Sequence, residues 1–301
     1  MKAQNTLPTG GGCEPSWLIN LQAADLQVPL CMVARTLDEN LQHKLGMRFL
    51  DVGTCRALAL PWPCDVALRE DGLTLLRSLP DGCAAVVFFD PQYREVLNKL
   101  AYGNEGARQR ERCALPAMTS AYIDQCAREI ARVLQPSGYL MLWSDTFRVG
   151  TGAHLRIADV LPCVDVISWD SLRPGNGYRS RRRGGYLLVL QKPPLCAKAT
   201  WTDHGIPDKW QEKVDRRIHP HAKPAGLIAR LIGAVTKPGD LVVDPAAGSF
   251  VVMHVATEMG RKFIGCDIAH HRRTKPPADI IKRAFTTTTG DRKSRTKSKS
   301  K

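Results

Sequence analysis

Apolar residues fall along this chain in two rhythms. Ala84-Ala85-Val86-Val87-Phe88-Phe89 is a continuous apolar run of strand length, as expected for a strand buried on both faces of a parallel sheet. Tyr139 to Trp143, Val164 to Trp169, Tyr186 to Gln191, Leu241 to Asp244 and Lys262 to Ile268 are further strand-like runs. Between them the spacing turns helical. Ile123, Cys126, Ala127, Ile130, Val133 and Leu134 share one helical face, capped by Thr119 or Ser120 and stopped by Pro136-Ser137-Gly138. A second helix is expected over Ala225 to Val235, entered through Pro224 and followed by the Pro238-Gly239 turn. Strands alternating with helices predict an α/β fold: a doubly wound, mostly parallel sheet with helices on both faces.

The two ends read differently. Residues 1–46 are mixed in character, with an amphipathic stretch from about Trp17 to Leu41 and no assignable role. From about Thr286 the chain is Thr, Ser, Lys and Arg with almost nothing to bury, so it is expected to be disordered. The expected organisation is therefore an N-terminal extension over 1–46, a folded domain over 47–269 and a basic tail over 270–301.

Composition narrows the class. The 301 residues are 44% hydrophobic, enough for a full-sized core. No apolar run approaches the roughly 20 residues that cross a bilayer, and Met1 to Glu14 lack the apolar core of a secretory signal. A cytoplasmic protein with no membrane partner is expected. None of the ten cysteines is spaced as Cys-x-x-Cys, so they read as reduced, buried small hydrophobes. The net charge of +14 points to a polyanionic partner, most commonly nucleic acid. From Arg272 to Lys301, however, eleven Lys or Arg face only Asp279 and Asp291, so this stretch carries +9 and the rest about +5.

Asp90-Pro91-Gln92-Tyr93 directly follows the run 84–89, and ligands gather at the carboxyl ends of strands in an open parallel sheet. These residue types fit methylation of an exocyclic base amine. Such an amine is a poor nucleophile because its lone pair is delocalised into the ring. Two acceptors on its N–H groups favour the tetrahedral form and stabilise the charge that develops as the methyl arrives. The Asp90 carboxylate is one acceptor, and the Pro91 carbonyl, exposed by the rigid proline turn, can be the other. Tyr93 offers a face for an extruded base, worth about 1–3 kcal/mol. On its own the same tetrapeptide also reads as a strand-terminating turn.

The surrounding motifs add to it. Asp71-Gly72-Leu73, Leu79-Pro80-Asp81-Gly82 and Asp90-Pro91-Gln92-Tyr93 are followed about 130 residues later by His219-Pro220-His221-Ala222-Lys223-Pro224. Pro238-Gly239-Asp240-Leu241-Val242-Val243-Asp244-Pro245-Ala246-Ala247-Gly248-Ser249 comes next, and then Gly260-Arg261-Lys262-Phe263-Ile264-Gly265-Cys266-Asp267. In order and spacing, over roughly residues 68 to 268, this set resembles the beta class of DNA amino-methyltransferases, which modify adenine N6 or cytosine N4. The resemblance implies a Rossmann-like S-adenosylmethionine-dependent methyltransferase fold acting on double-stranded DNA. By the same resemblance, Asp90, Pro91, Gln92 and Tyr93 are catalytic. Asp244, Pro245, Ala246, Gly248 and Ser249 form the turn beneath the methionine end of the cofactor, with Lys223 near the mouth of that site. Asp267, 23 residues after Asp244, stands where an acid accepts from a ribose, and Asp71 borders the cofactor adenine. Adenine N6 is the expected target, because cytosine-N4 members more often carry Ser at the first catalytic position.

There are departures from the family pattern. Its second tetrapeptide proline is Gln92 here, its usual Phe in the cofactor turn is Ala246, and its usual second Gly is Phe250. Either the Phe has moved across the turn to fill the same space or cofactor binding is weakened. A rival cofactor turn, Phe49-Leu50-Asp51-Val52-Gly53-Thr54 with Glu70 and Asp71 downstream, would need a helix that absorbs Pro61 and Pro63.

Arg179, Arg181, Arg182 and Arg183 lie in a Gly-rich connection, comparable to a family segment beside the target base, and suit phosphate contacts. Arg108, Arg110 and Arg112 form a second basic patch; the alternative for both is a solvated loop. Target recognition is expected from short segments near 94–118 and 193–218. His219, His221, His270 and His271 lack acidic or thiol partners at ligand spacing, so no metal is expected. Cytosine N4, an RNA substrate, or a DNA-binding protein that has lost catalysis remain as alternatives. A homodimer and a cognate endonuclease stay open as partners.

Overall fold

The computed structural model describes residues 60–92, 118–173, 181, 183–214 and 222–268. The N-terminal extension, most of the 94–118 segment and the basic tail lie outside the described residues. So do the rival turn at 49–54, Tyr93, Arg108, Arg110, Arg112, Arg179, Arg182, His219, His221, His270 and His271.

In chain order the elements are β1 (Ala67–Leu68), α1 (Gly72–Ser78), β2 (Ala84–Phe89), α2 (Ser120–Val133) and β3 (Leu134–Ser144). Next come α3 (Thr146–Gly150), a 3-10 turn (Ala153–Ile157), β4 (Cys163–Asp170), β5 (Gly184–Gln191), α4 (Ala197–Thr200) and β6 (Lys209–Gln211). Last are α5 (Ala225–Val235), β7 (Leu241–Asp244), α6 (Val251–Glu258) and β8 (Lys262–Cys266). The eight strands form one sheet in the order β1-β8-β7-β2-β3-β5-β4-β6. Only β5 runs against the rest, pairing antiparallel with both β3 and β4.

Alternation along the central strands divides the core in two. Val86 and Phe88 of β2, with Tyr139, Met141 and Trp143 of β3, pack beneath α5 and α6. Val87 and Phe89, with Leu140 and Leu142, pack against α1 and α2 on the opposite face. Both layers are built of buried apolar side chains, so the uninterrupted apolar runs follow from burial on two sides. The chain leaves β2 through α2 to β3 in one direction, and leaves β7 through α6 to β8 in the other. The switch point therefore falls between the adjacent strands β2 and β7, where a crevice opens at their carboxyl ends.

The expected helix α2 is present, with the Thr119 hydroxyl accepting from the Tyr122 N–H at 3.1 Å. Pro136-Ser137-Gly138, expected as a connection, instead lies inside the long strand β3. A register shift against β2 and a positive φ of 59° at Ser137 absorb the irregularity. Six cysteines are described, all with free thiols; Cys83, Cys126 and Cys266 are buried. Among the described residues no helix is long and apolar enough to cross a membrane.

Candidate active site

Strand register decides which side chains meet. Phe89 is level with Leu142, so Asp90 comes level with Trp143 at the end of β3. Val87 pairs with Val243, which sets Asp244 beside Phe88. Asp244 pairs with Gly265, so Asp267 follows β8 by the same edge. One pocket at the switch point is lined by Asp90, Trp143, Lys223, Asp244 and the turn Ala246 to Ser249. Two motifs about 150 residues apart in sequence thus share one cavity.

Each part has a local cause. Asp71 ends the segment after β1 and caps α1: one carboxylate oxygen accepts from Thr74 N at 2.9 Å and the other from the Tyr122 hydroxyl at 2.5 Å. Burial pushes this carboxyl up, but the bonds from Tyr122 and Thr74 outweigh it and hold Asp71 below the usual carboxylate range. Its side chain is therefore committed within the protein. The next residue must be small, because a Cβ on Gly72 would meet the Pro245 carbonyl oxygen at 2.3 Å. The start of α1 is pressed against the cofactor-type turn.

That turn is held by its own strand ends. The Asp244 carboxylate accepts from Ala246 N at 3.1 Å, and Ala247 N donates to the Cys266 carbonyl at 2.9 Å. Gly248, at φ 51°, donates its N–H to Asp267 at 3.0 Å. Asp244 is buried, which pushes its carboxyl well above the usual range, and the nearby charges of Asp90 and Asp267 add to the push. Ala246 N–H and the Lys223 ammonium act the other way.

Lys223 directly precedes Pro224, the N-cap of α5. Its ammonium pairs with the Asp90 carboxylate and lies 5.2 Å from the centroid of the Trp143 ring. Pro91 is buried, and the Gln92 carbonyl accepts from Met118 N at 3.3 Å. Trp143 and Glu212 were not singled out in the sequence. An aromatic ending the run next to the strand that leads into Asp90 was the available signal for Trp143; Glu212 carried none.

A sequence model of the DNA methylase family (N6_N4_Mtase) matches residues 182–275. The type II methyltransferase M.HhaII of Haemophilus parahaemolyticus is 47% identical over 203 residues, covering 66% of this chain and 89% of the relative. The chain belongs to the N6/N4 DNA methylase family. The DNA adenine methyltransferase YhdJ of Escherichia coli K12 is 54% identical over a local stretch of 50 residues, 17% of either chain. The solved structure of the M1.HpyAVI–SAM complex matches 74% of this chain and 96% of its own, at 16% identity and a TM-score of 0.49.

Two departures of this methylase from its family pattern take a defined form. Phe250 is buried in the layer beneath α5, whereas Ala246 packs against the opposite layer. The Phe has therefore not refilled the space left at Ala246. It sits at φ 56°, a left-handed conformation that explains a glycine elsewhere in the family.

The basic loop is also partly engaged. Arg183 pairs with Asp170 at 2.7 Å across the β4–β5 hairpin, while Arg181 is exposed. In the 193–218 segment, Trp201, Ile206 and Trp210 pack on the core, and Asp203 forms an ion pair with Arg230 of α5.

Proposed function

We propose that this DNA methyltransferase transfers a methyl group from S-adenosylmethionine to adenine N6 of a base extruded from double-stranded DNA. The observation that carries the reading is the single pocket lined by both Asp90 and the turn residues Asp244 and Ala246 to Ser249. The donor set suits this cofactor. Asp90 and Asp267 lie near Asp244 with Lys223 as the opposing cation, and even with the buried Asp244 carboxyl uncharged these groups leave an excess of negative charge that favours a sulfonium- and ammonium-bearing ligand. Gly248 brings backbone close to the ligand space, and Asp267 stands at the next strand end.

Bound there, S-adenosylmethionine supplies an electrophilic methyl group on a cationic sulfur. The chain's own part is to hold the nucleophile. Asp90 accepts one amine N–H and the Pro91 carbonyl the other, concentrating the nitrogen lone pair toward the methyl and stabilising the developing positive charge. Asp90 takes up the proton or passes it to water once the C–N bond has formed. Tyr93 stacks on the base, Gln92 shapes the turn, and Lys223 with Asp244, Pro245, Ala246, Gly248 and Ser249 frames the cofactor. Asp71 borders the cofactor adenine and also fixes the start of α1 against Pro245. Arg179, Arg181 and Arg182, with Arg108 and Arg110, contact phosphates; Arg183 does so in part, because Asp170 already holds it. Adenine is supported by aspartate at position 90 and by the local likeness to the Escherichia coli adenine methyltransferase. The methyltransferase domain is assigned to 47–269, working in the cytoplasm.

Methyl transfer from labelled S-adenosylmethionine to mixed-sequence genomic DNA, followed by nucleoside analysis, tests this. N6-methyladenine is the expected product. N4-methylcytosine would overturn the base, and absence of both product and cofactor binding would favour a DNA-binding protein without catalysis.

A further inference from the structure

Asp90 is one-third exposed at the end of β2, and an aspartate carboxylate rotates easily about its last torsion. A carboxylate that must present one oxygen to a base amine therefore needs something to fix it. Lys223 is built to do so. Its ammonium contacts Oδ2 of Asp90, and its side chain is only 20% exposed. Beneath it lies the buried Trp143 ring, within cation–π range.

That platform is itself braced. Trp143 meets Trp169 edge to face, with centroids 5.9 Å apart, and Trp169 Nε1 donates to the Glu212 carbonyl at 2.9 Å. The Glu212 carboxylate accepts from Gly226 N at 3.0 Å and Leu227 N at 3.2 Å, closing the start of the helix that Lys223 precedes. One residue thus holds both Trp169, the ring that backs Trp143, and the helix beside Lys223.

We infer that Lys223 is a positioning residue for the acceptor carboxylate, pinning Oδ2 of Asp90 over the Trp143 ring so that the other oxygen faces the target amine. This goes beyond a place for Lys223 at the cofactor and rests on the function proposed above. An ammonium on the far oxygen also stays clear of the nitrogen that becomes cationic, whereas on the near oxygen it would oppose methyl arrival.

Steady-state methylation by the full chain, with separate measurement of cofactor and DNA affinity, tests this. Lys223→Met keeps length and removes the charge. Its kcat should fall about 10- to 100-fold, the scale of a small misplacement at the reacting centre. Its KM for DNA should change less than about three-fold, and any change in the Kd for S-adenosylmethionine, which Lys223 also borders, should be several-fold smaller than the loss in kcat, a split that uniform binding loss would not give. Lys223→Arg should recover part of kcat, and Trp143→Leu should lower kcat with the same split. A Lys223→Met variant with unchanged kcat, or one whose whole loss lies in cofactor Kd, overturns the inference while the methylation reading stands. A wild-type chain that binds cofactor but methylates no base overturns both.

Discussion

The side chain of Asp267, just beyond β8, accepts a 3.0 Å hydrogen bond from the backbone N–H of Gly248 in the turn beyond β7. An acid at this strand end thus shapes the neighbouring turn. Asp267→Ala should raise the Kd for S-adenosylmethionine about ten-fold, the scale of one lost charged hydrogen bond. Calorimetric titration checks it, and an unchanged Kd would make the contact incidental.

Asp90→Ala removes the proposed amine acceptor without touching the proposed phosphate contacts. Turnover should fall at least about 100-fold, with DNA affinity in fluorescence anisotropy within about three-fold. Full activity in this variant would refute the assigned role.

Asp244 predicts a pH-dependent cost. Its folded carboxyl is raised by burial, so ionisation is harder in the folded chain than in the unfolded one. The cost is absent below the unfolded carboxylate value of about 4 and grows as pH rises toward the folded value. Asp244→Asn keeps an oxygen for Ala246 N–H and cannot ionise. The variant should melt above the parent at pH 8, with the gap closing by about pH 4 to 5; a constant difference would show another cause.

Glu212→Ala strips an acceptor from Gly226 N, Leu227 N and Trp210 Nε1. Pro224, the N-cap of α5, offers no side-chain bond in its place. Unfolding in urea should register a loss of about 2 kcal/mol, and Glu212→Gln should retain roughly half of it. Equal stability of all three forms would mean that water caps the helix adequately.

Phe250 combines a buried ring with a left-handed backbone. Removing the ring costs about 3–5 kcal/mol, while glycine relieves about 1 kcal/mol of backbone strain that alanine keeps. Both Phe250→Gly and Phe250→Ala should be destabilised in thermal melts, with the glycine variant the more stable. The reverse order would remove strain as an explanation.

Much of the frame was legible in the residues because it rests on local rules. The run 84–89 is uniformly apolar since both faces of β2 are covered, and α5 begins and ends where Pro224 and the residues after Val235 predicted. Asp90 was legible because a strand end followed by proline leaves a carboxylate and a carbonyl outside the sheet. Ser137 was misread because a left-handed residue between Pro136 and Gly138 looks like a connection, although β3 tolerates it at a register shift.

What the sequence by itself determined was the inventory: alternating strands and helices, an acid after each of three strands, a glycine where backbone must approach a ligand, and a basic balance suited to DNA. Tertiary structure decided what that inventory does. Trp143 faces Lys223 because β3 is in register with β2. The second carboxylate oxygen of Asp71 is taken by the Tyr122 hydroxyl because α2 packs beside α1, and Glu212 closes α5 because β6 joins the sheet edge beside β4. Periodicity and capping act over a few residues and leave a trace in sequence. Register and packing join residues far apart in the chain, and no local pattern records which partner each one meets.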